Sequence, residues 1–298
     1  MNQKLLFISL LIVLNWSCED PQNKTIEEEI EIQSAQPSQE ELKKRYYQIP
    51  SPDEMFAFIK QSGMKYNSNL LIDPFYSEKI VDPVALPVIF GAYTADLAYT
   101  AAFEEYQTTI KYFAVVRKLA DKIEISSAFD ETLVNRIQNN LNSADSLIAI
   151  TNDSYFQIVD YLEKNQRGNV LGIIAFGGWL ESVYIVSEEI KNLNDDQMTN
   201  NPIVERFVDQ NETLDNIILF LERYSDDPKV AKVLQWTQRI KGKFAQLKDD
   251  ISGEVKVEKR DGKLVIGSKN NSSKIDPVKI KEAIEIIRQV RSEVFMIQ

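Results

Sequence analysis

The amino-acid sequence predicts an all-α fold, a helical bundle with one small β-hairpin near its C-terminal end. Three observations carry that reading. Residues 84–104 (VALPVIFGAYTADLAYTAAFE) are apolar nearly all round, as a central buried helix would be. Most later segments repeat their apolar residues at spacings of three and four. Only one stretch, 253–268 (GEVKVEKRDGKLVIGS), alternates in period two, and it does so around Asp261-Gly262, a strong two-residue hairpin signal.

The elements follow in chain order. Lys4 precedes an apolar run from Leu5 to Leu14, too short for a permanent membrane span and laid out as a secretory signal peptide over residues 1–17. Cys18 follows the small residue Ser17 at the end of that run, where a lipoprotein signal peptidase requires it, although Asn15 and Trp16 make the lipobox loose. It is the only cysteine of the chain, which excludes an intramolecular disulfide and makes lipidation its natural use. Two or more acyl chains on one cysteine give stable anchoring, at roughly 0.8 kcal/mol per buried methylene. Residues 19–45 are acidic and free of aromatics, so they bury too little apolar surface to fold and read as a tether, with a reach of roughly 30 Å.

Residues 46–298 then read as a single helical domain. Ser51-Pro52-Asp53-Glu54 is a helix start, with Ser51 as N-cap and Pro52 at the first helical position. Helices are expected over 84–104, 106–123, 130–141, 143–165, 168–191, 202–224 and 227–250, with Asp130 and Asp227 as caps. A final amphipathic helix over 276–296 carries the stripe Ile280, Ile284, Ile287, Val290 and Val294. Val255, Val257 and Ile266 of the hairpin are expected to cover the helical body, since a lone hairpin is not stable by itself. No segment after the signal peptide is expected to hold an apolar stretch long enough for a transmembrane helix.

The chain also resembles itself. Phe90-Gly91-Ala92-Tyr93 matches Phe176-Gly177-Gly178-Trp179, and Val134-x-Arg136-Ile137 matches Val204-x-Arg206-Phe207. Two pseudo-repeated helical units are therefore expected, about 84–165 and 168–250, with Gly91, Gly177 and Gly178 at close helix crossings.

Composition excludes much chemistry. The chain has no histidine, so Ser-His-Asp and Cys-His catalysis and histidine-liganded metal sites are absent. No phosphate-binding glycine loop appears. The acidic stretch 192–196 lacks oxygen ligands where a calcium loop needs them, because Met198 and Ile203 stand there. No metal or cofactor is expected. Loss of residues 1–17 removes Lys4 and no acid, moving the formal charge from −11 to −12. Such a surface argues against nucleic acid and against lying flat on anionic lipid, leaving the anchor as the only membrane contact.

Polar residues inside the two most apolar helices are the candidate site. Asp96 stands in a nearly continuous apolar run, with Tyr93 and Tyr99 three residues to either side. Trp179, Glu181 and Tyr184 occupy a similar stretch. Buried acids need donors, for which Arg117, Arg136 and Arg206 are the candidates. Tyr93, Asp96, Tyr99, Trp179, Glu181, Arg136 and Arg206 thus form either a pocket between the two units or a set of carboxylate–arginine pairs that fix helix register.

The wording of several segments is also familiar. YYQIPSPDEMFAFIK (46–60), LPVIFGAYTADLAYTAAFEEYQTTIKYFAVVRKLADKI (86–123), the stretch holding Arg136, Asn140 and Asp145-Ser146-Leu147, and GGWLESVYI (177–185) resemble a family of lipoproteins from Bacteroidota with no assigned function. The resemblance implies an exported helical protein and carries no catalytic residues across. The expectation is a membrane-anchored lipoprotein of the outer membrane or cell surface, or of the periplasmic membrane face. It would bind an envelope protein or a small ligand without catalysis, the alternative being a carboxylate-dependent hydrolase of envelope glycans.

Overall fold

The structure is a computed structural model that describes residues 52–128, 135–136, 140, 144–248, 255–260, 263–268 and 275–297. The signal peptide, Cys18, the tether, Ser51 and Asp130 lie outside the described residues, as does most of the expected helix over 130–141.

The all-α expectation holds. The described helices are α1 (Pro52–Gln61), α2 (Ala85–Ala102), α3 (Tyr106–Lys122), α4 (Ala144–Lys164), α5 (Gly168–Ile190), the single turn α6 (Asp195–Met198), α7 (Pro202–Glu222), α8 (Pro228–Lys248) and α9 (Pro277–Met296). Their starts follow local chemistry. Asp227 accepts from Lys229 N through its side chain and from Ala231 N through its carbonyl, ahead of Pro228. Asn201 and Asp276 do the same office for α7 and α9, each followed by a proline at the first helical position. Asn194 and Gln197 form a full capping box on α6, which accounts for the polar cluster at 192–196 as helix-end chemistry.

Helices α2 and α5 make the central pair of the bundle. Every residue of α2 except Thr94 is buried, and so is most of α5, which explains why neither shows a single apolar face. They cross in contact. A Cβ on Gly91 would sit 2.1 Å from the carbonyl oxygen of Ile174, and one on Gly177 would sit 1.9 Å from that of Val88. Only glycine permits that approach, so the expected glycine crossing is present.

Helix α5 corrects one expectation. By length and composition it could cross a membrane, but 94 % of its most apolar window is buried inside the protein. Its neighbours α2, α7, α8 and α9 surround it, and Glu181 within it is paired, so its apolarity belongs to a core helix. The two-unit repeat is not supported either. Helix α2 is followed directly by α3 packed on it, whereas α5 is followed by the short α6 and packs on α7. The matching words FGAY and FGGW mark the two sides of one crossing, where both helices need a small residue beside aromatics.

Around the pair, α7 and α8 close an aromatic core with α5. Phe176 stacks on Trp236 and Trp179, Trp179 meets the edge of Phe244, and Phe244 packs on Phe207. Helix α9 lies against α8 and α5 with Ile280, Ile284, Ile287, Val290 and Val294 all buried, the stripe its spacing predicts. Two short segments, β1 (Val255–Arg260) and β2 (Lys263–Ser268), pair antiparallel with Val257 opposite Ile266. Their side chains, like Asp261-Gly262 between them, lie outside the described residues.

Candidate functional site

The stripe Tyr93, Asp96 and Tyr99 does one job on α2. Residues three apart on a helix share a face, and along this face runs the segment 67–73, which includes the 3₁₀ turn Ser68–Leu70 and leads into a second, Pro74–Glu78. Tyr99 Oη accepts from Asn67 N at 2.9 Å, Asp96 Oδ2 accepts from Ile72 N at 2.9 Å, and Tyr93 Oη donates to the Asp73 carbonyl at 2.7 Å. Tyr112 of α3 adds a fourth tie, donating to the Ile72 carbonyl at 2.5 Å. A helix built to be buried thus satisfies the backbone of a loop that has no regular partner of its own.

Burial sets the protonation of this ladder. It pushes the hydroxyl of Tyr99 up to about 12, and those of Tyr93 and Tyr112 further still. Asp96 is fully buried, and desolvation, followed by the nearby charge of Glu181, holds its carboxyl well above the ordinary carboxylate range. The Ile72 N–H and Arg291 oppose that shift without cancelling it. Its Oδ1 has no hydrogen-bond partner among the described residues, consistent with a neutral acid.

Glu181 is the second buried acid, 1 % exposed on α5. Its donor is Arg291 of α9, whose Nε and Nη2 reach the two carboxylate oxygens at 2.6 and 2.7 Å. With both oxygens accepting, the acid is held as carboxylate in a bidentate pair. Burial raises its pKa while the Arg291 charge opposes. The guanidinium also lies 3.9 Å from the ring centre of Tyr184 and 4.6 Å from that of Phe295. One turn away on α9, Arg288 makes a looser ion pair, its Nε 2.9 Å from Glu188 of α5 and its Nη1 4.0 Å from Glu285.

These arginines line a pocket of about 830 Å³. Leu71, Ile72 and Asp73 come from the anchored segment, Tyr76 from the 3₁₀ turn that follows it, Tyr184 from α5, and residues 285–296 of α9 supply the rest, including Phe295 and Met296. Tyr76 links the two walls, since its hydroxyl donates to the Phe295 carbonyl and its ring packs on the Phe295 ring at 5.2 Å. Among the described residues no cluster of acidic, histidine or cysteine side chains could hold a metal ion.

The residues singled out from sequence therefore divide. Tyr93, Asp96 and Tyr99 come together, but behind the pocket wall and not as its floor. Glu181 lies behind Arg291, and Trp179 is a core residue against Phe176 and Phe244. Arg136 and Arg206 are not the donors to the buried acids. Glu181 is served by Arg291 and Asp96 by a backbone N–H, while the Arg206 guanidinium sits 5.7 Å from the Phe58 ring centre and the Arg136 carbonyl accepts from Asn140. Arg117 is exposed on α3. Sequence reasoning missed Arg291, Arg288 and Ile72. The one signal for the arginines is RQVR (288–291), two cations three residues apart beside the buried Ile287 and Val290. Comparison with protein-family models, curated proteins and solved structures finds no match to this chain.

Proposed function

We propose that the protein is an exported lipoprotein, held at the outer membrane or cell surface by lipid on Cys18, whose helical body binds without catalysis. Residues 19–45 hold that body off the membrane, and its partner is an envelope protein or a small ligand. The observation that carries the binding reading is the closed state of the acids. Asp96 and Glu181, the acids buried within the two central helices, are committed to a loop backbone and to an arginine, so neither is presented to a substrate. What remains open is a pocket with aromatic and apolar walls and charged groups of both signs, the make-up of a ligand site.

A carboxylate-dependent hydrolase of envelope glycans is the second reading, favoured by Asp73, Glu285 and Glu293 on the same pocket. Each is already engaged: Asp73 accepts from Phe75 N, Glu285 from Gln289, and Glu293 from Arg239. The experiment pairs labelling with turnover. Cells given an alkyne fatty acid should label the wild-type chain and not Cys18→Ala, which should leave the membrane fraction. Envelope glycan incubated with the protein should stay intact; its cleavage, lost in Glu285→Gln or Glu293→Gln, would replace the binding reading with the hydrolase.

A further inference from the structure

The pocket beside α9 holds two arginines that are fixed before any ligand arrives. Arg291 is clamped by Glu181 through Nε and Nη2 and lies over the rings of Tyr184 and Phe295, and its Nη1 has no hydrogen-bond partner among the described residues. Its side chain is 19 % exposed, so it is mostly buried, and it contributes to the pocket lining. Arg288, one turn away, is 40 % exposed and held by Glu188. A guanidinium has five N–H donors in a rigid fork, and an arginine immobilised by a carboxylate behind it binds a second oxyanion with little loss of side-chain freedom.

The rest of the lining sets the ligand's body and charge. Leu71, Ile72, Tyr76, Phe295 and Met296 offer apolar and aromatic surface, and the volume of about 830 Å³ suits a small molecule. Asp73, Glu285 and Glu293 stand on the same wall. Asp73 and Glu293 are restrained by Phe75 N and Arg239, and Glu285 by Gln289 and, at 4.0 Å, by Arg288; all keep their charge and oppose negative charge on the ligand, so the arginines can offset one carboxylate but not a more highly charged anion. From this juxtaposition we propose that the pocket binds a small monocarboxylate with an apolar or aromatic body, its carboxylate on the free edge of Arg291 with Arg288 beside it. The inference rests on the non-catalytic binding reading and names the ligand class of that reading.

Calorimetric titration of the mature chain carrying Cys18→Ser, with 3-phenylpropionate, octanoate, 3-phenylpropionamide and inorganic phosphate as probes, tests it. The carboxylates should bind at least about tenfold more tightly than the amide, and inorganic phosphate, which carries more negative charge than a monocarboxylate and no apolar body, should bind least. Arg291→Met alone leaves Glu181 buried and unpaired, so the informative variant is the double change Glu181→Leu, Arg291→Met, which replaces the ion pair by apolar groups and keeps the fold. It should unfold cooperatively near the wild-type temperature and lose the preference for carboxylate over amide. Arg288→Gln should weaken the carboxylate several-fold and leave the amide unchanged. Equal affinity for carboxylate and amide, a preference that survives in the double variant, or phosphate binding most tightly would each overturn the proposal. Absence of any binding would overturn this ligand class and leave the anchored scaffold reading standing. Conversion of the amide to the acid during incubation would instead overturn the non-catalytic reading.

Discussion

Arg291→Met is the sharpest perturbation of the fold, because it removes one half of a buried ion pair and nothing else of similar size. Glu181 is 1 % exposed and accepts both of its side-chain hydrogen bonds from Arg291, at 2.6 and 2.7 Å. Deleting one member of such a pair leaves an uncompensated buried charge, which costs about 3–5 kcal/mol. Loss of the contacts with the Tyr184 and Phe295 rings adds about 1–2 kcal/mol, as expected for a largely desolvated cation over aromatic faces. For a domain of this length each kcal/mol moves the unfolding temperature by about 2–4 °C, so the midpoint should fall by at least about 8 °C. Glu181→Leu in the Arg291→Met background should recover most of that loss. Urea unfolding of the wild type, both single variants and the double variant closes a cycle whose coupling term should exceed about 2 kcal/mol. Arg291→Lys, which keeps charge and loses the fork, should fall between. An Arg291→Met variant within about 1 kcal/mol of wild type, or a coupling term near zero, would show that Glu181 is neutral in the fold and would refute the pairing.

Four further outcomes follow from the structure. Asp96→Asn should cost under about 1 kcal/mol at neutral pH, because an amide oxygen can accept from Ile72 N and the raised pKa already makes the acid resemble its amide, whereas Asp96→Ala should cost about 1–3 kcal/mol by orphaning that N–H. Since the folded pKa of Asp96 lies above its unfolded value, its contribution is complete below the ordinary carboxylate range and is lost as pH rises through the folded value. The stability of wild type relative to Asp96→Asn should therefore decline as pH is raised from about 4, which denaturant titrations at several pH values will read. Gly177→Ala should destabilise by about 3 kcal/mol or force α2 and α5 apart, since its Cβ would lie 1.9 Å from the Val88 carbonyl oxygen. Gly242→Ala in α8, where a Cβ meets nothing within 4 Å, should stabilise by about 0.5–1 kcal/mol, and thermal unfolding of the pair separates crossing from propensity.

The architecture was legible wherever one residue's neighbours along the chain decide its state. Helix positions follow apolar spacing that the chain carries locally, and the starts at Pro202, Pro228 and Pro277 follow from ring geometry and capping side chains within three residues. The glycine crossing was legible for a related reason: a glycine inside an otherwise apolar helix has few uses other than close approach. The repeat was over-read from that same signal. FGAY and FGGW look alike because they face each other across one contact, which is a requirement on a pair of helices and needs no duplication behind it.

Partners distant in sequence were not legible. The spacing of Tyr93, Asp96 and Tyr99 shows a shared face, yet nothing in that spacing says the face is met by the backbone of residues 67–73. Arg136 and Arg206 are nearer to Glu181 along the chain than Arg291 is, and the true pair spans 110 residues. What decides the pairing is that α9 lies against α5 with Val290 and Val294 in its buried stripe, which brings the two arginines at 288 and 291 onto the glutamates at 188 and 181. Buried charges in this fold are therefore selected by the register of two helices that the apolar stripe sets, and the pocket is a by-product of the same register. A shift of α9 by one residue would remove both ion pairs and turn the stripe away from the core, so the cations that line the pocket and the packing that holds the bundle together cannot vary independently.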